Sequence, residues 1–183
     1  MALAYYEPHK TVDARNPASK PVLINGAKEG HVLVKNTNNA LPLNKPKMIS
    51  IFGYDAVAPP ANDVASASQY FGQWTLGAES IYSWAPFLSP GPPPQIAING
   101  TIISGAGSGA NSPAYISSPF DALNEQAYAD GTAVFWDFKS QNPAVDTSTD
   151  ACFVFINAFS TEGNDRPGLH GKHLHESACA KIY

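Results

Sequence analysis

Residues 118–138, SPFDALNEQAYADGTAVFWDF, place a helix and a strand back to back. Ser118 can accept backbone hydrogen bonds at an N-cap, and Pro119 is tolerated at the first helical position because that N–H has no helical partner. Ala122, Leu123, Gln126 and Ala127 continue the helix, and Gly131 ends it. Residues 132–138 then read as a strand, and residues 152–157, CFVFIN, as another. Both are nearly all apolar, the pattern of central strands covered on two faces. Residues 48–53, MISIFG, have the composition of a further buried strand closed by a glycine. Strands alternating with helices predict an α/β sandwich of three layers around a mainly parallel sheet.

Away from this centre the signals weaken. Residues 20–35 are expected to be a short helix, with Val22, Leu23, Ala27 and Val34 near helical spacing and Gly26 and Gly30 weakening it. Residues 36–39 read as a turn closed by Leu41-Pro42-Leu43, and residues 95–104 as a strand. Pro86, Pro90, Pro92, Pro93 and Pro94 make residues 83–94 an extended surface loop, since proline donates to no ladder. Residues 56–60 are loop-like, and residues 62–75 leave room for a helix. Residues 1–19, with Pro8 and Pro17, form an irregular arm. Residues 170–183, rich in histidine, do not continue the pattern before them. The domain organisation expected is thus an arm over 1–19, a sandwich over 20–169 and an unmatched tail over 170–183.

The chain has 183 residues, 44% hydrophobic and 14% charged, which suits one core-forming domain. A net charge of −4 without clustered Lys or Arg argues against nucleic acid or anionic membrane as partner. No apolar run approaches the roughly 20 residues that span a bilayer. The opening residues MALAYYE lack the basic start and apolar core of a signal peptide. Two cysteines are too few for a disulfide framework, and Cys152, inside an apolar run, reads as a buried free thiol.

Ligands of parallel α/β sheets gather beyond the carboxyl ends of the strands. That rule points to Glu162, Asp165 and Arg166, in a loop that follows the strand at 152–157. On spacing alone, a solvated loop in which Arg166 pairs with a carboxylate accounts for the same residues. The glycine run at 105–109 lacks the immediate strand–turn–helix succession of a dinucleotide site, because Pro113 intervenes, and no Gly-Lys-Ser/Thr makes it a P-loop. His170, His173, His175, Glu176 and Cys179 match no zinc module, so no metal and no cofactor is expected. Asn99-Gly100-Thr101 is a glycosylation sequon, meaningful only in a secreted chain. Among the tryptophans that could stack on a sugar, Trp84 beside the proline loop suits an exposed platform, Trp74 is undecided, and Trp136, inside a strand, reads as core.

Five segments in order resemble glycoside hydrolase family 3, most of all its fungal β-glucosidases. Val32-Leu33-Val34-Lys35-Asn36 with Leu41-Pro42-Leu43 resembles the opening signature of the family's second domain, and Ile49-Ser50-Ile51-Phe52-Gly53 looks like its first strand. Gly105-Ala106-Gly107-Ser108-Gly109 and the segment from Ser117 through Leu123 resemble its glycine–serine–glycine loop and following helix. Ser160-Thr161-Glu162-Gly163-Asn164-Asp165-Arg166 resembles the loop carrying the general acid/base. The likeness covers residues 12–169.

The resemblance implies a barrel domain followed by an α/β sandwich, with retaining hydrolysis of terminal β-D-glucosides between them. It implies Glu162 as the general acid/base and Asp165 and Arg166 as the pair that orders its loop. The family's nucleophile, an aspartate in a Ser-Asp-Trp motif of the barrel, has no counterpart in these residues. The expectation is therefore a partial sandwich, inactive alone, with β-glucoside or glucose as a weak ligand. Self-association or a barrel-domain partner is expected, and secretion and a place in cellulose degradation follow from the resemblance alone. The alternative is a non-catalytic remnant that binds carbohydrate or a protein through the former domain interface.

Overall fold

The computed structural model describes residues 13–59, 100–103 and 116–158, and the chain divides into two compact units, Met1–Leu43 and Asn44–Tyr183. In the first unit Asn16 caps a 3-10 turn, Pro17–Ser19, its side chain accepting from the Ala18 N–H at 3.0 Å. The helix α1, Lys20–Glu29, follows directly and holds no buried residue. It stops at Gly30, so residues 31–35, expected to be helical, are not. Gly26 and Gly30 each cost helix stability, and the β-branched Val32 and Val34 beyond them add little to recover it. Asn36 organises the expected turn: its amide donates to the Leu41 carbonyl at 2.8 Å and its side-chain oxygen accepts from the Leu41 N–H at 3.0 Å.

The second unit is built on a parallel sheet in the order β2-β1-β3. These strands are β1, Met48–Phe52, β2, Ala133–Asp137, and β3, Ala151–Val154. Ile51 of β1 stands beside Trp136 of β2 and Phe153 of β3. The helix α2, Pro119–Asp130, begins and ends as its sequence predicts. Ser118 accepts from the Asp121 N–H at 3.2 Å while the Asp121 carboxylate accepts from the Ser118 N–H at 3.0 Å. Two otherwise orphaned donors are thereby satisfied. Parallel strands with an intervening helix agree with the expected α/β class.

Ile49, Ile51, Ala56, Ala127 and Ala151 form the buried core, with Phe120, Leu123 and Phe153 packed against it. Full burial of one such Ile stabilises by about 1.5–3 kcal/mol. Ser50 is also fully buried, which its hydroxyl tolerates because the Thr149 hydroxyl lies 2.7 Å away. At the amino end of β1 the Asp150 carboxylate accepts from the Lys47 and Met48 N–H groups at 2.6 and 3.1 Å.

Four expectations need correction. Among the described residues β1, not β2 or β3, is the strand flanked on both sides. An apolar run reports burial but not which neighbours supply it, and on β2 Phe135 and Trp136 remain 38% and 51% exposed. Trp136 is accordingly no core residue; one side of it meets Phe120, ring centroids 5.3 Å apart. Cys152 is disulfide-bonded, not a free thiol. Its side chain is only half-buried on β3, so the sulfur is not sealed into the core as the apolar run suggested. Of the strand expected at 95–104, residues 100–103 carry no strand and the rest lies outside the described residues. No described helix is long and apolar enough to cross a membrane.

Candidate functional site

The chain places β2 on one side of β1 and then crosses to place β3 on the other. The crevice between the carboxyl ends of β1 and β3 is therefore a topological switch point, where open α/β sheets hold their ligands.

Gly53 ends β1 with φ of 95° and turns the chain into the short 3-10 segment Tyr54–Ala56. A Cβ at Gly53 would run into the Phe155 carbonyl, so only glycine lets the two strand ends approach this closely. The ladder continues past β3, with the Phe155 N–H donating to the Phe52 carbonyl at 2.9 Å and the Asp55 N–H to the Phe155 carbonyl at 3.3 Å. The Asn157 amide then donates to the Asp55 carboxylate at 2.8 Å and to the Gly100 carbonyl at 3.3 Å. The Tyr54 hydroxyl donates to the Asn157 carbonyl at 3.4 Å. Gly100 (φ 148°) fits where a side chain would press on Pro59 and Val57, and the Thr101 N–H donates to the Val57 carbonyl at 2.8 Å. Three segments distant in sequence, 53–57, 100–101 and 155–157, are thus tied together at one end of the sheet.

Asp55 and Asn157 are half-buried, and a hydrogen bond to an ionised group is worth about 1.5–3 kcal/mol net. Two carboxylates of this unit, Asp130 and Asp146, are held below the ordinary aspartate range. Asp130 is lowered first by a hydrogen bond from Gln126 and further by Lys45, and Asp146 is lowered by the Ser148 hydroxyl. They precede β2 and β3 and so belong to the amino ends of those strands.

Glu162, Asp165, Arg166 and Trp84 lie outside the described residues, as do Trp74, residues 105–109, Asn99 and the histidines of the tail. The described chain brings the strand that precedes Glu162 to the switch point and ends at residue 158. Sequence reasoning missed Tyr54, Asp55, Gly100 and Asn157. Its available signal was a Gly-Tyr-Asp run closing one apolar strand and a single Asn closing another. Among the described residues no group of three His, Cys, Asp or Glu side chains gathers as metal ligands. A separate open groove of about 480 Å³ runs along α2 and β2, lined by Asn124, Glu125, Tyr128, Thr132, Val134 and Trp136.

Comparison with known proteins agrees with this architecture. Residues 31–182 match the family model described as the glycosyl hydrolase family 3 C-terminal domain. The chain is 47% identical over 165 residues to the probable beta-glucosidase M of Emericella nidulans, covering 90% of this chain and 19% of that protein. It is likewise 47% identical over 171 residues to the beta-glucosidase cel3A of Pyricularia oryzae, covering 90% of this chain and 21% of that protein. Among solved structures, the beta-D-glucoside glucohydrolase of Trichoderma reesei superposes with a TM-score of 0.55 at 25% identity, over 87% of this chain and 20% of that chain. The chain thus spans about a fifth of the length of the curated relatives it matches.

Proposed function

Because the chain belongs to glycosyl hydrolase family 3, as part of its C-terminal α/β sandwich domain, we propose that it supplies the general acid/base of a retaining β-glucosidase. The observation that carries this reading is that Asn157, five residues before Glu162 in the sequence, stands at the switch-point end of the sheet. In retaining hydrolysis one carboxylate attacks the anomeric carbon while a second, about 5–5.5 Å away, protonates the departing oxygen and later deprotonates the attacking water. Glu162 takes the second role. Asp165 and Arg166 order its loop through a charge-assisted contact, and Trp84 offers a face for the sugar ring. The substrate class is a terminal β-D-glucoside, in keeping with the names of the relatives, and cellulose breakdown is a setting that consumes such bonds.

The nucleophile comes from a barrel domain, since these 183 residues hold no Ser-Asp-Trp triplet. Without it the chain binds glucose or β-glucoside weakly and does not turn over. Secretion is supported by the disulfide at Cys152, a bond that persists in oxidising compartments, and by the sequon at Asn99. Association with a barrel-bearing partner or with itself is supported by Phe135, Trp136, Val154 and Ile156, between 38% and 51% exposed. The missing triplet also favours a second reading, a non-catalytic domain that binds carbohydrate or a protein through the same surface.

Assaying the pure chain on an aryl β-glucoside tests the division of labour. Background-level hydrolysis is expected. Turnover that disappears in Glu162→Gln would show a complete site and overturn the reading.

A further inference from the structure

Asp55 and Asn157 stand 102 positions apart in sequence, yet their side chains meet at 2.8 Å where β1 and β3 end. Neither belongs to the core cluster, and the ladder beside them is already closed by backbone hydrogen bonds. Their contact is therefore not needed to pair the strands. What it fixes is direction. The Asn157 amide is held on one side by the Asp55 carboxylate and on another by the Gly100 carbonyl, while its own carbonyl receives the Tyr54 hydroxyl. With side chain and carbonyl both held, the residue keeps one orientation, and so does the peptide that leads onward to residue 158. An anionic acceptor makes the Asp55 contact the strongest of these bonds.

We propose that Asp55 and Asn157 are positioning residues, a latch that sets where the chain leaves β3 and so where Glu162 is delivered. The proposal rests on the reading of Glu162 as the acid/base and adds the device that aims it. In this role Asp55 acts through Asn157. Its useful property is an acceptor oxygen at a fixed point. The isosteric amide of Asp55→Asn keeps that oxygen, whereas Asp55→Ala removes it.

Backbone and carboxyl NMR of the full 183-residue chain provides the test, with the Ile51 amide as monitor of the core. In Asp55→Ala the amide resonances of residues 158–166 and the side-chain carboxyl resonance of Glu162 are expected to move. The exchange of the Asn157 side-chain amide protons should rise about tenfold or more, as loss of a bond to a charged group implies. Ile51 should keep its protection, and Asp55→Asn should restore the wild-type positions. Should Asp55→Ala prove unfolded, Asn157→Ser removes the donor while leaving Asp55 intact and is read in the same way. Unchanged resonances at 158–166 with an intact core overturn the latch, as does identical behaviour of Asp55→Ala and Asp55→Asn. Failure of the acid/base reading is a separate result, seen as activity indifferent to Glu162→Gln while the latch shifts persist.

Discussion

Gly53 and Phe155 approach so closely that a Cβ on the first would clash with the carbonyl of the second. The contact brings the exits of β1 and β3 together. Gly53→Ala meets a backbone carbonyl, which cannot swing aside as a side chain can, and also forces alanine to a φ of 95°. A loss of about 2 kcal/mol or more is expected, to be read as a lower urea midpoint with unchanged slope.

The buried hydroxyls of Ser50 and Thr149, 2.7 Å apart, give a second prediction. Ser50→Ala leaves the Thr149 hydroxyl buried without that partner and should cost about 1–3 kcal/mol. Adding Thr149→Val removes the stranded group. The double variant should therefore be more stable than Ser50→Ala, and a double-mutant cycle by chemical denaturation measures the coupling.

How much of this was legible in the sequence differs by element. The helix α2 was readable at both ends, because Ser118, Pro119 and Gly131 each act locally through their own backbone. The strands were readable as apolar runs, but their order was not, since nothing in β2 or β3 states which strand lies beside it. Trp136 misled for the same reason: a tryptophan in a strand is buried only if something covers its face, and here Phe120 covers one side. Cys152 misled because apolar sequence neighbours say nothing of a distant sulfur. Asp55 and Asn157 meet only once the fold has brought the two strand ends together, so neither stands out in the chain. Glu162 is assigned by resemblance, and it lies outside the described residues.

Asp130 gives a pH-dependent prediction. Its carboxyl is held below the ordinary aspartate value of 3.8, first by the Gln126 amide and further by Lys45. A depressed folded-state value means that the carboxylate supports the fold above the unfolded-state value and that this support is lost as pH falls through the folded-state value. Gln126→Ala should move the Asp130 carboxyl titration upward, toward ordinary, and reduce the share of stability lost in acid. Carbon-detected NMR titration checks both the sign and the residue.

The half-exposed aromatic and aliphatic residues of β2 and β3 predict association. Trp136, at 51% exposure, lines the groove along α2 and β2. Sedimentation velocity over a concentration series is expected to show self-association that Trp136→Glu weakens. A monomer at every concentration would remove that surface from the account.

Glu162 is proposed to serve as an acid/base for a nucleophile held on another domain. The most direct measurement of that role uses a chimera, with residues 31–169 of this chain replacing the matching segment of the Emericella nidulans relative. The substrate should be a β-glucoside with a poor leaving group, for which protonation of the departing oxygen matters most. An active chimera is expected, in which Glu162→Gln lowers kcat about 10²–10⁴-fold. An active chimera whose turnover is unchanged by Glu162→Gln would contradict it.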